Sequence, residues 1–182
     1  GLEDSLLAMR QVAKQAAALG IDPARLSIGG DSAGGNLAAS TCVIQRDGGG
    51  PTLRAQMLLY PVTDLRMQTA SYAMPDSDGL LTAGMMHWFR DLYAGDVTDW
   101  RVSPLLATSH ADLPPAYIVT CGFDPLRDEG QAYAAALIQA GGAVTHVPYP
   151  GQVHGFLFMG AAIAAAGPAI AEIAIYLRAA LR

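Results

Sequence analysis

The five residues Gly30-Asp31-Ser32-Ala33-Gly34 make a G-x-S-x-G motif, the pattern of a serine presented at the apex of a turn too tight for neighbouring side chains. A serine so placed attacks a carbonyl carbon once a base takes its proton, and the base needs an acid to orient it. Residues 25–29 read as a strand before the motif and residues 33–46 as a helix after it, which is the context in which the motif carries a nucleophile.

The base is sought among four histidines. His154 lies in the glycine-flanked stretch 150–156 after the strand-like 143–149, where an imidazole can be held at the carboxyl edge of a sheet, and it is taken as the base. His146 falls inside that strand pattern, His87 inside a helical one and His110 just before Asp112-Leu-Pro-Pro115; these three read as structural or surface residues. For the acid, Asp124 follows the apolar strand 116–122 and precedes a helix. Asp128 and Glu129 fall in the first turn of that helix, where carboxylates commonly serve the helix dipole, so Asp124 is favoured over both. Asp31 reads as structural, a carboxylate whose local hydrogen bonds hold the turn, and Asn36 and Ser103 as supporting or merely local residues.

Positioning these side chains requires a sheet. The opening stretch is an amphipathic helix with Leu2, Leu6, Met9, Ala13 and Ala16 on one face and Gly20 closing it. Strand patterns at 25–29, 55–60, 116–122 and 143–149 alternate with helical patterns at 33–46 and 126–140. A last helix carries Ile170, Ile173, Ala174, Leu177 and Leu181 at helical spacing. The alternation predicts an α/β fold, a mostly parallel sheet with helices on both faces. Residues 63–113 form an irregular excursion with a helix over 82–93. Its Met67, Met74, Met85, Met86, Trp88, Phe89, Tyr93 and Trp100 read first as core or surface packing, with some lining an acyl pocket.

Gly29-Gly-Asp-Ser-Ala-Gly-Gly-Asn-Leu37, Tyr60-Pro-Val-Thr-Asp64, Ser103-Pro-Leu105, Asp124-Pro-Leu-Arg-Asp-Glu-Gly130 and His154-Gly-Phe156 resemble the bacterial hormone-sensitive-lipase-like esterases of the G-D-S-A-G subgroup, over essentially the whole chain. The chain order Ser32, Asp124, His154 is also that of α/β-hydrolases. The resemblance implies an α/β-hydrolase fold and a serine carboxylesterase acting on short-to-medium acyl esters through an acyl-enzyme, with no metal or cofactor. Ser32 is then nucleophile, Asp124 acid and His154 base, and a homodimer is expected. The alternatives are an amidase or other acyl hydrolase on the same triad, or a non-catalytic ligand-binding protein on a hydrolase scaffold; the retained His154 weighs against the last.

The family also carries a His-Gly-Gly-Gly segment upstream of the elbow whose backbone N–H groups form most of the oxyanion hole. The triple glycine of this chain, Gly48-Gly-Gly50, reads instead as a helix stop. The resemblance therefore implies that residues 1–182 are the C-terminal portion of one catalytic domain. N-terminal strands, a cap and the remaining oxyanion donors are expected upstream, in the same polypeptide or a partner chain, leaving the Ala33 backbone N–H as the donor here. Asp99-Trp100-Arg101 departs from the Asp-Pro-Arg that the family leads one to expect, so the local loop path is expected to differ.

With 182 residues, 52% hydrophobic and 15% charged, the chain is able to bury one good core. A net charge of −5 without a basic cluster argues against nucleic-acid binding. No apolar run reaches membrane-spanning length, since Gly167-Pro168 interrupts the alanine-rich 161–174. Cys42 and Cys121 read as small buried hydrophobes, and so few cysteines make a reducing, cytoplasmic setting the expectation; Gly1-Leu-Glu-Asp4 lacks a signal-peptide pattern, which says little where the true start is expected upstream.

Overall fold

The strand β3 (Ala116–Phe123) is apolar on both faces. Ala116 and Ile118 point to one side, and Tyr117, Val119 and Cys121 to the other. Such a strand is stable only between two layers of helix, and the chain supplies both. In the computed structural model, which describes residues 1–75, 80–93 and 95–182, four parallel strands run in the order β1 (Leu26–Asp31), β2 (Leu53–Leu59), β3, β4 (Val144–Val153). Residues 76–79 and 94 of the expected excursion lie outside the described residues.

On one face lie α1 (Leu2–Lys14), α3 (Ala33–Gly48) and α5 (Arg127–Gln139). The short α2 (Ala16–Leu19) continues α1 after a break at Gln15. Ala38, Ala39, Cys42 and Val43 of α3 meet Leu58, Ile118 and the Tyr133, Ala134 and Leu137 of α5, with Met9 of α1 against them. The other face is covered by α6 (Ala166–Ala180), whose Ala166, Ala169, Ile173, Tyr176 and Leu177 pack on Ala55, Met57, Tyr117 and Val119. Truncating a fully buried core aliphatic such as Ile118 costs about 2–5 kcal/mol in cores of this kind.

Two sequence expectations change here. Ile170 does not belong to the packed face of α6: it is 50% exposed, because the small Ala166 and Ala169 let the helix approach the sheet closely and rotate Ile170 outward. β4 does not stop at residue 149 but runs on through Pro148 and Pro150 to Val153. Proline is tolerated because β4 is an edge strand. An irregularity in the ladder, where Cys121 pairs with Tyr149 but Phe123 with Val153, bends its end back over β3. Gly122 permits this approach, since a Cβ there would sit 1.9 Å from the Pro150 carbonyl oxygen.

The excursion after β2 holds α4 (Ala83–Tyr93) over a third apolar cluster of Val62, Leu65, Met67, Leu81, Met86 and Leu126. Asn36 binds its path to α3, donating from Nδ2 to the carbonyls of Val62 (3.0 Å) and Val102 (2.8 Å). Ser103 Oγ donates to Val97 O at 2.7 Å and accepts from Leu65 N at 3.0 Å. Asp99 turns back on Arg101 by an ion pair, while Trp100 packs against the first core cluster.

Candidate active site

Ser32 sits between β1 and α3 with φ 53° and ψ −117°, a conformation costly for any residue with a Cβ. The surrounding backbone holds it there: Ser32 N donates to Leu59 O at 2.9 Å, while Val62 N and Asn36 N donate to Ser32 O, each at 3.2 Å. Gly30 lets the turn close, because a Cβ at that position would lie 2.3 Å from the Gly34 carbonyl carbon. The seryl oxygen projects at the carboxyl end of the sheet, where open α/β sheets bind ligands.

β4 delivers His154 and the loop after β3 delivers Asp124 to the same point. His154 Nε2 lies 3.0 Å from Ser32 Oγ, and His154 Nδ1 lies 2.7 Å from Asp124 Oδ2. An ionised carboxylate only accepts, so Nδ1 carries the proton that it donates to Asp124. In the neutral imidazole Nε2 is then an acceptor facing the Ser32 hydroxyl. Asp124 is wholly buried, and its Oδ1 accepts from Leu126 N at 2.9 Å, so the opening of α5 fixes the carboxylate plane. The structure thus brings Ser32, His154 and Asp124 into one hydrogen-bonded series. The N–H of Ala33 opens α3 with no hydrogen-bond acceptor among the described residues and faces the same space as Ser32.

A cavity of about 510 Å³ opens beside Ser32 and Ala33. Its walls are mainly apolar, from Leu37 of α3, Val62 and Leu65 after β2, and Leu81, Met86, Phe89, Leu92 and Tyr93 on and before α4, with Asn36 and Arg90 among them. Of the methionines and aromatics of the excursion, Met86, Phe89 and Tyr93 line this cavity. Trp88 is 59% exposed and Met67 is core.

The other singled-out residues lie elsewhere. His146 on β4 bonds Thr120 Oγ1 at 2.9 Å, and burial pushes its imidazole below the ordinary range. His110 donates from Nε2 to Pro104 O at 3.1 Å against the ring of Tyr133 and is likewise lowered by burial. His87 is exposed on α4. Asp31 corrects the expectation of local hydrogen bonds: among the described residues its carboxylate makes none, being half-exposed and free to be solvated instead. Cys42 is buried and its thiol is pushed up to about 12; Cys121 is raised by burial and by Asp124, so neither is a thiolate.

Two residues of the site escaped the sequence reading. Glu129 is not an exposed partner of the α5 dipole. It is wholly buried and accepts from Thr63 N (2.7 Å), Asp64 N (3.1 Å) and the Tyr72 hydroxyl (3.0 Å), and burial pushes its carboxyl up to about 8. Asp128 receives Ser71 N at 2.8 Å beside its ion pair with Arg127. Together they fasten the excursion to the segment that carries Asp124. Tyr60, directly after β2, sets its ring 4.7 Å from the His154 ring. The signal for Glu129 lay in the motifs Tyr60-Pro-Val-Thr-Asp64 and Asp128-Glu-Gly130, whose Thr63, Asp64 and Glu129 face each other across the fold.

Comparison with known proteins shows the family. The sequence matches the alpha/beta hydrolase fold family over residues 1–158. The chain belongs to that family. It is 49% identical over 144 residues to a carboxylic ester hydrolase of Mycobacterium tuberculosis, covering 74% of this chain and 38% of that protein. It is 42% identical over 167 residues to ethyl acetate hydrolase of Pseudomonas putida, covering 88% of this chain and 52% of that one. The solved structure of a thermostable esterase from Pseudomonas putida superposes with a TM-score of 0.95 at 38% identity, covering 100% of this chain and 59% of the other. The chain therefore spans only about two fifths to three fifths of the length of these relatives. No helix of the described residues is long and apolar enough to cross a membrane.

Proposed function

We propose that this chain is the catalytic portion of a serine carboxylesterase that hydrolyses short-to-medium acyl esters. The observation that carries the reading is the series Ser32 Oγ, His154 Nε2 at 3.0 Å, His154 Nδ1 and Asp124 Oδ2 at 2.7 Å, opening on an apolar cavity. In the mechanism, Ser32 Oγ attacks the ester carbonyl carbon as its proton passes to His154 Nε2, and Asp124 stabilises the imidazolium. The oxyanion is met by the Ala33 N–H. Collapse of the tetrahedral adduct expels the alcohol, which takes the proton from Nε2 and leaves an acyl ester on Ser32. Water then attacks that ester, gives a proton to Nε2 and releases the acid, and Nε2 returns the proton to Ser32.

The cavity of about 510 Å³ is of a size that suits a short or medium acyl chain. The ester-hydrolase names of the relatives favour esters over amides, and the intact Ser32–His154 contact favours an enzyme over a binding scaffold. As an edge strand β4 suits pairing with a second copy, and α6 carries the exposed Ile170 and Ile175, so we assign a homodimer to that edge and the final helix. The free, buried thiols fit a cytoplasmic setting.

Turnover of p-nitrophenyl acetate and butyrate by the complete polypeptide that carries this sequence tests the reading. Ser32→Ala is expected to lower kcat at least about 10³-fold while the protein stays folded. Undiminished turnover in a folded Ser32→Ala variant contradicts it.

A further inference from the structure

Tyr60 occupies a backbone conformation that nothing about its own chemistry favours. Its φ of 39° lies in the left-handed region, rare for an aromatic residue, and the following Pro61 further restricts it toward extended backbone. Such a residue persists only where its surroundings over-determine it, at about 1–3 kcal/mol of strain. The constraints are visible. Tyr60 N donates to Val119 O at 2.7 Å; Leu59 O, one residue before, receives Ser32 N, and Val62 N, two residues after, donates to Ser32 O.

The same strained turn carries a ring that is 1% exposed and stands edge-on to the His154 imidazole, with centroids 4.7 Å apart and planes at 60°. Behind it Phe156 lies at 6.5 Å and is backed in turn by Tyr149 at 5.0 Å. The imidazole is thus held by Asp124 at Nδ1 and walled by an aromatic ring whose own position is locked to the backbone of Ser32. The hydroxyl takes no part: it is buried, has no hydrogen-bond partner among the described residues, and burial raises the phenol so that it stays protonated.

We infer that Tyr60 is a positioning residue: its ring fixes the tilt of the His154 imidazole toward Ser32, so that one strained turn after β2 registers both partners of the proton transfer. The inference rests on the proposed roles of Ser32 and His154. It assigns the effect to the ring and not to the hydroxyl. Removing the ring loosens the imidazole without touching the acyl cavity, whose lining does not include Tyr60. The loss therefore falls on kcat and not on KM, and small misplacements of a reacting group cost up to about 10²-fold.

The test compares Tyr60→Phe, Tyr60→Met and Tyr60→Leu in the complete polypeptide, with p-nitrophenyl butyrate as substrate and circular dichroism to monitor folding. The expected result is a kcat about 10- to 100-fold lower in whichever of the Met and Leu variants folds, with KM within about twofold of the parent, and a Phe variant within about threefold in kcat. A folded Met or Leu variant with parental kcat overturns the inference, as does an equal loss in the Phe variant. Failure of both Met and Leu variants to fold while Phe folds also overturns it, because the ring is then core. Ser32→Ala is run alongside: if that variant retains turnover, the fault lies with the assignment of Ser32 and not with Tyr60.

Discussion

Asp124 divides its two oxygens between two tasks. Oδ1 takes the Leu126 N–H and so belongs to the start of α5; Oδ2 faces His154 Nδ1. An asparagine in its place keeps the bond to Leu126 through its carbonyl oxygen and turns an amide N–H toward Nδ1. The imidazole is then driven to the tautomer with its proton on Nε2, which cannot accept from Ser32. Asp124→Asn is therefore expected to lower kcat by about 10³- to 10⁴-fold, and Asp128→Asn, which keeps an acceptor for Ser71 N and loses the partly exposed pair with Arg127, by less than about threefold. Steady-state kinetics on the two variants decides between the carboxylates, and the reverse ranking contradicts the choice of Asp124. At this scale the sequence is eloquent about residues whose type is their role. Ser32, His154 and Asp124 stand out because a nucleophile, a base and an acid at strand ends have few other readings. Tyr60 does not, because its part comes from a left-handed φ and a ring contact across 94 residues of chain, neither of which a spacing encodes.

The strands and helices that carry these residues were legible from alternation of apolar patterns, and their limits were less so. Proline at 148 and 150 marks a strand end in most contexts, but at a sheet edge the missing N–H groups cost little and β4 continues to Val153. Glu129 shows the opposite difficulty. A carboxylate in the first turn of a helix looks like a dipole partner, and only the fold reveals that the loop after β2 lies on top of it. Burial raises this carboxyl from 4.5 to about 8, so the folded chain retains a proton that the unfolded chain gives up above pH 4.5. Its contribution to stability is complete below pH 4.5 and is lost as the pH rises through about 8. Glu129→Gln keeps an acceptor for Thr63 and Asp64 and has nothing to titrate. Melting temperatures followed from pH 6 to pH 9 are expected to fall less steeply in Glu129→Gln than in the parent, whereas Glu129→Ala, leaving three buried donors unpaired, is expected to lose about 3 kcal/mol or more at every pH. Identical pH slopes in parent and Gln variant contradict this account.

For the molecule as a whole, the sheet order β1-β2-β3-β4 places every strand's carboxyl end on one side, so Ser32, Asp124 and His154 converge although 122 residues separate the first from the last. That convergence followed from the fold class. The apolar cavity did not, because its walls come from the irregular excursion, where Leu65, Leu81 and Met86 carry no periodicity to announce them. The central claim is that Ser32 is the nucleophile of an acyl-transfer site, and a serine-directed organophosphate tests it on the complete polypeptide. Intact mass followed by peptide mapping is expected to show one adduct per chain, on Ser32, formed in step with the loss of ester turnover and absent from a folded His154→Ala variant on the same time scale. Ester turnover that persists after full reaction, or an adduct on a residue other than Ser32, contradicts it.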